Sequence, residues 1–234
     1  MKRKLSSRAV SEFLGTALLV AAVVGSGIMG ERLAGGNVAI ALLANTIATG
    51  AALVALILAF GAISAHLNPA VTIAEAMEGG IAWREVPVYI IAQCAGGVLG
   101  AVAAHLMFGM PWYSISIHAR SGWPLVFSEF VATFGLLCVI WGCSRSRASA
   151  MPFAVGAYIT AAYWFTASTS FANPAVTLAR ALSNTFSGIR PVDAPLFVAA
   201  QIAGAVVATY LFSWLLPSER KDTQPDASAL TPAR

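Results

Sequence analysis

The chain has 234 residues, of which 58% are apolar and only 10% charged. A soluble domain carries about 25% charged residues, so this composition excludes a water-soluble enzyme and a disordered chain and leaves an integral membrane protein. The formal charge of +4 comes from 14 basic and 10 acidic residues. The basic ones gather at the ends of apolar stretches rather than on one face, which argues against nucleic acid as a partner.

The N-terminal segment 1–8 is basic, and no small-residue cleavage site closes the apolar run after it, so that run is expected to stay as a membrane span. A span needs about 20 mostly apolar residues to cross a hydrocarbon core of about 30 Å. Six segments qualify: 9–30, 38–60, 87–108, 124–143, 152–168 and 194–216. Two shorter apolar pieces, 68–77 and 173–182, reach only about half a bilayer as helix. The expected organisation is a first repeat over 9–109, a connecting loop over 110–123, a second repeat over 124–216 and a polar tail over 217–234. With the N-terminus inside, ten basic residues (Lys2, Arg3, Lys4, Arg8, Arg84, Arg145, Arg147, Arg220, Lys221, Arg234) lie inside. Four (Arg32, Arg120, Arg180, Arg190) lie outside. That bias predicts both termini in the cytoplasm. Cys94, Cys138 and Cys143 follow no disulfide or metal spacing and read as packed thiols. His105 and His118 read as structural, and no cofactor or metal is expected.

The halves repeat each other in order. Ser11-Glu12-Phe13 returns as Ser128-Glu129-Phe130, Asn68-Pro69-Ala70-Val71-Thr72 as Asn173-Pro174-Ala175-Val176-Thr177, and Ala92-Gln93 as Ala200-Gln201. Each half holds three spans, an odd number, so the second copy enters the membrane from the opposite side. The result is an inverted repeat. The two short pieces then dip in from opposite faces and meet near the middle, where non-helical backbone is tolerated only inside protein or along a watery cavity.

Asn is a preferred N-cap and Pro is favoured in the first helical turn, so Asn68-Pro69 and Asn173-Pro174 are helix starts. Each Asn oxygen caps its own helix, which leaves its NH2 as a donor at the meeting point. Two helix N-termini aimed at the same place repel a cation and suit water or a neutral hydroxyl solute. Gly96 and Gly100, mirrored by Gly204 and Ala208, suit close helix approach.

On the paired Asn-Pro-Ala boxes and the repeated Ser-Glu-Phe opening, the sequence resembles the aquaporin (major intrinsic protein) family over about residues 9–216. The resemblance implies an all-α membrane protein of six transmembrane helices and two re-entrant half-helices. It also implies a homotetramer with one pore per protomer and passive flow of water or small neutral solutes. It makes Glu12 and Glu129 braces of the re-entrant loops, as the expense of a buried carboxylate would demand, and puts His66 at the cytoplasmic pore mouth. It makes the backbone carbonyls of 64–67 and 169–172 a ladder for solutes.

The family usually places an arginine directly after the second Asn-Pro-Ala, and here that position is Val176. The other filter positions, carried over by spacing, are Thr49, Ala161 and Ser170. Thr, Ala, Ser and Val would make a wide, neutral ring, unsuited to a water-only pore. Arg180 follows one turn later and is expected at the surface near the sixth span, with the outer vestibule as the alternative. The filter, with Tyr163-Trp164-Phe165-Thr166 and the stretch 171–177, resembles the bacterial aquaglyceroporin-like subgroup associated with arsenic resistance. Arsenite as neutral As(OH)3 therefore joins water and glycerol-like polyols as an expected permeant of a protein in the bacterial inner membrane. The rival reading is a coupled secondary transporter, also built on an inverted repeat. The spans show no Asp pair, Ser/His constellation or metal-ligand cluster, which argues against an intramembrane enzyme.

Overall fold

A computed structural model describes residues 3–216. The predicted tail over 217–234 and the charges Lys2, Arg220, Lys221 and Arg234 lie outside the described residues.

The described chain is helical throughout: α1 (Leu5–Leu33), α2 (Val38–Phe60), α3 (Pro69–Met77), α4 (Val86–Met107), α5 (Trp123–Ser146), α6 (Met151–Phe165), α7 (Pro174–Arg180) and α8 (Ala194–Leu215). Proline stands in the first turn of α3, α4, α5, α6, α7 and α8. There its fixed φ suits the helix and its missing N–H is no loss. Asn37 starts α2 by accepting from the N–H groups of Ala39 and Ile40 at 3.0 and 3.3 Å.

Among the described residues, five helices are long and apolar enough to cross a membrane. The remaining crossing, α6, is fifth in chain order and has 15 residues, or about 22 Å. It was expected to run to residue 168 but stops at Phe165, where Thr166 turns to an extended backbone. The Thr166 hydroxyl caps the end by donating to the Ala162 carbonyl at 2.7 Å. Successive crossings place the segments 61–68, 78–85 and 147–150 at one end of the bundle, and 34–37, 108–122, 166–173 and 181–193 at the other.

The repeat is visible in the packing. Helix α1 packs chiefly on α4, and α5 on α8. In the first pair Gly96 lies against the Phe13 carbonyl, and in the second Gly204 lies against the Phe130 carbonyl. A side chain at either glycine would run into backbone, so the close approach requires its absence. Gly50 and Gly156 make the equivalent approach between α2 and α6, which joins the two halves.

The distribution of polarity is inverted relative to a soluble protein. Leu18, Ile47, Leu58, Ile91, Leu106 and Leu196 are exposed on the outside of the bundle. Glu12, Gln93, Glu129 and Gln201 are fully buried within it. A lipid-facing surface with a polar interior is the arrangement a bilayer demands. Trp83, Trp123 and Trp214, all exposed, stand at helix ends, where an interfacial aromatic belt lies.

Candidate functional site: a central pore

The centre is built by two short helices that start head to head. Helix α3 begins after Asn68 and α7 after Asn173, with the two motifs packed against each other. Asn68 Oδ1 accepts from the Ala70 N–H at 2.9 Å, and Asn173 Oδ1 from the Ala175 N–H at 3.0 Å. The side-chain NH2 groups then cross over. Asn68 Nδ2 donates to the Ala172 carbonyl at 2.7 Å, and Asn173 Nδ2 donates to the Leu67 carbonyl at 2.7 Å. Each asparagine thus ties down the residue just before its counterpart. The expectation that both NH2 groups are free needs correcting: one N–H of each is spent on this reciprocal clasp, and one remains.

Leu67 and Ala172 are in the left-handed region, at φ 52° and 48°. Non-glycine residues rarely stay there without support. Support comes from the two buried glutamates. Glu12 accepts from the N–H groups of His66 at 2.8 Å and Leu67 at 2.7 Å, from the Ser64 hydroxyl and from Gln93 Nε2. Glu129 accepts from the N–H groups of Phe171 and Ala172, both at 2.9 Å, and from Gln201 Nε2 at 2.6 Å. Gln93 and Gln201 reach on to the Thr72 and Thr177 hydroxyls, each at 2.9 Å. A buried carboxylate is stable when donors surround it, and here those donors are the loop N–H groups that would otherwise be orphaned. The sequence reading missed the roles of Gln93, Gln201, Thr72 and Thr177. The signal was present, since all four recur between the repeats.

A cavity of about 550 Å³ threads the bundle past both asparagines and is lined by residues from both ends. Its aliphatic wall includes Val23, Leu53, Ile57, Leu136, Val155 and Ile159. The re-entrant loops supply the polar wall: among the described residues, no donor reaches the carbonyls of Ala65, His66, Ser170 and Phe171. His66 lines the cavity with Nδ1 3.1 Å from the Thr72 hydroxyl and its ring against Tyr89.

Thr49, Ser170 and Val176 line this cavity and Ala161 does not. Ala161 is exposed on the outer face of α6, while Ile159 and Tyr163, two positions to either side, line the cavity, and Tyr163 is the one nearer the 166–173 loop. A two-residue error in the transferred spacing turns a helix by about 200°, from the inner face to the outer one. The Tyr163 hydroxyl donates to Thr49 Oγ1 at 3.3 Å. Arg180 also departs from expectation. It is not on the surface but 1% exposed, lines the cavity and stacks on the Phe171 ring with 3.4 Å between guanidinium carbon and ring centroid. Arg120, likewise buried, donates to the Gly188 carbonyl at 2.8 Å and the Ser168 carbonyl at 3.2 Å, pinning together the 166–173 and 181–193 segments at that end of the bundle. His105 is structural in its contacts, bridging the Pro111 carbonyl and the Ser183 hydroxyl.

The family profile described as Major intrinsic protein matches residues 1–170 and again 144–232. The chain belongs to the major intrinsic protein family. It is therefore a multi-pass membrane channel and not an enzyme. Among curated relatives, it is 53% identical to aquaglyceroporin AqpS of Rhizobium meliloti (strain 1021), over 96% of this chain and 97% of that protein. It is 31% identical to probable aquaporin AqpM of Archaeoglobus fulgidus, over 92% of this chain and 99% of that one. The X-ray structure of the aquaglyceroporin from Plasmodium falciparum superposes with a TM-score of 0.71 at 21% identity, covering 92% of this chain and 98% of that one, which shows the shared fold.

Proposed function

We propose that this major intrinsic protein is a passive channel for water and small neutral hydroxylated solutes: glycerol-like polyols, and arsenite as As(OH)3. The observation that carries the reading is the two-sided lumen. An aliphatic wall faces a ladder of unpaired loop carbonyls, and the crossed asparagines stand at its middle. A polyol has a CH side and an OH side, and such a lumen satisfies both at once without stripping the hydroxyls of partners. The similarity to an aquaglyceroporin supports the same permeant class.

Thr49, Tyr163, Ser170 and Val176 form the narrow outer filter, and Glu12 and Glu129 hold the loops that shape it. In this proposal Tyr163 takes the place first given to Ala161. A coupled transporter would need an intramembrane carboxylate free to load its driving ion. Both candidates, Glu12 and Glu129, are instead fully occupied by loop donors. Four such protomers assemble in the bacterial inner membrane with both termini cytoplasmic. That orientation is supported by the cluster of Arg3, Lys4, Arg8, Arg84, Arg145 and Arg147 at one end of the bundle.

The test is stopped-flow light scattering on proteoliposomes of the full chain, with water, glycerol and arsenite as permeants. All three fluxes should scale linearly with the gradient and ignore a proton gradient. Val176→Arg should narrow the lumen and cut glycerol and arsenite several-fold more than water. Unchanged glycerol and arsenite flux in that variant would remove Val176 from the filter.

A further inference from the structure

Arg180 is a buried cation outside any ion pair among the described residues. Among the described residues its one hydrogen bond runs from Nε to the Ser187 carbonyl. The terminal nitrogens have no protein acceptor, and Nη1 is fully enclosed. An ionisable group held inside a membrane at such cost is retained for function far more often than for stability. Two features hold its position: the Ser187 carbonyl fixes the plane of the guanidinium, and the Phe171 face attracts it.

The helix geometry brings this group to the filter. Arg180 lies four residues after Val176, on the same face of α7, and both line the cavity. Helical side chains lean toward the N-terminus of their helix, so the long arm of Arg180 extends back over the turn that carries Val176. Valine is short enough to leave that space open. A second unpartnered polar atom, the buried Ser170 Oγ, lines the same cavity.

We infer that Arg180 is the cationic donor of the outer filter, supplying from the next turn of α7 the guanidinium that position 176 lacks. Its Nη2, the terminal nitrogen that is not enclosed, offers hydrogen bonds to the oxygens of passing neutral solutes, and its charge turns back protons and small organic cations. This inference rests on the channel reading above and narrows it. The filter keeps an arginine one turn back from position 176, so it is not uncharged.

The experiment compares methylammonium entry with glycerol flux in proteoliposomes of wild type, Arg180→Leu, Arg180→Gln and Arg180→Lys. Removing a full charge from a poorly solvated constriction should raise the methylammonium-to-glycerol ratio about tenfold or more in the Leu and Gln variants. Arg180→Lys keeps the charge and should stay near wild type in that ratio. A merely structural arginine would give the opposite order, with lysine failing as badly as glutamine, because lysine cannot reproduce the stacked planar fork. The double variant Val176→Arg/Arg180→Leu should restore exclusion. If the leucine variant is not monodisperse, the Gln and Lys variants decide alone. A conducting wild type whose Leu and Gln variants exclude methylammonium equally well overturns the assignment of Arg180. A wild type that passes neither water nor glycerol overturns the channel reading and this inference together.

Discussion

The two re-entrant loops are copies with different endings. Asn68-Pro-Ala-Val-Thr-Ile-Ala is followed by Glu75, and Asn173-Pro-Ala-Val-Thr-Leu-Ala is followed by Arg180. The inverted repeat carries these eighth residues to opposite ends of one lumen, and both line it. Glu75 is half-buried at one mouth, while Arg180 is buried at the other. The loops differ in backbone as well. The first has one left-handed residue, Leu67, and the second has three, Thr169, Ser170 and Ala172. The second is also pinned by Arg120, whereas among the described residues no arginine donates to the first. What the copies share is the apparatus that closes the centre: glutamate, glutamine, threonine and crossed asparagine. What they do not share is the charge at the mouth. The shared residues build a symmetric clasp, and the eighth residues give the two mouths opposite charges.

Substitutions at the shared and at the unshared positions test this contrast. The largest effect is expected from Glu12→Ala and Glu129→Ala. Each would orphan two buried loop N–H groups and release left-handed backbone, at about 1–3 kcal/mol per unsatisfied group. Thermal unfolding in detergent should fall sharply for both. It should fall further for Glu12→Ala, whose carboxylate serves four donors against three for Glu129. Equal or reversed losses would show that the outer pinning by Arg120 does not compensate the strain in the second loop.

The asparagines come next. Asn68→Ala and Asn173→Ala each lose a helix cap, about 1 kcal/mol, and a buried hydrogen bond to the opposite loop, about another 1 kcal/mol. Because the clasp is reciprocal, the double variant should lose less than the sum of the single losses in a thermal-stability cycle. Strict additivity would mean that the two bonds act independently.

The smallest effect concerns the outer face alone. Burial works against ionisation of Asp193, but hydrogen bonds from Arg190 and from the Arg120 N–H outweigh it and hold its pKa below the ordinary value. A carboxylate with a lowered folded-state pKa contributes stability above its unfolded pKa of about 4 and loses it as pH falls further. Wild type should therefore lose thermal stability between pH 5 and about 3 more steeply than Asp193→Asn, with the excess traceable to the segments 108–122 and 181–193 by hydrogen exchange. Parallel pH profiles for the two proteins would rule out that contribution.

Much of this protein is written locally in its sequence. Apolar runs of bilayer length fixed the crossings, because lipid leaves the backbone no alternative to helix. The Asn-Pro pairs fixed where the half-helices begin, because capping and proline geometry act within a few residues. Repetition in order fixed the inversion, since it follows from counting spans. The cross-loop partners of the asparagines, the Gln–Thr supports and the lumen face of α6 lay beyond reach, because they depend on which residues distant helices bring within 3 Å. Ala161 and Tyr163 differ by two positions in the chain and by opposite faces of the helix. Arg180 shows the limit most clearly. Sequence marked it as a charge near a span end, where charges are ordinarily solvated. Only the packing of α7 against Phe171 and the 181–193 loop enclosed it at the lumen, because burial is a property of the surroundings and not of the residue.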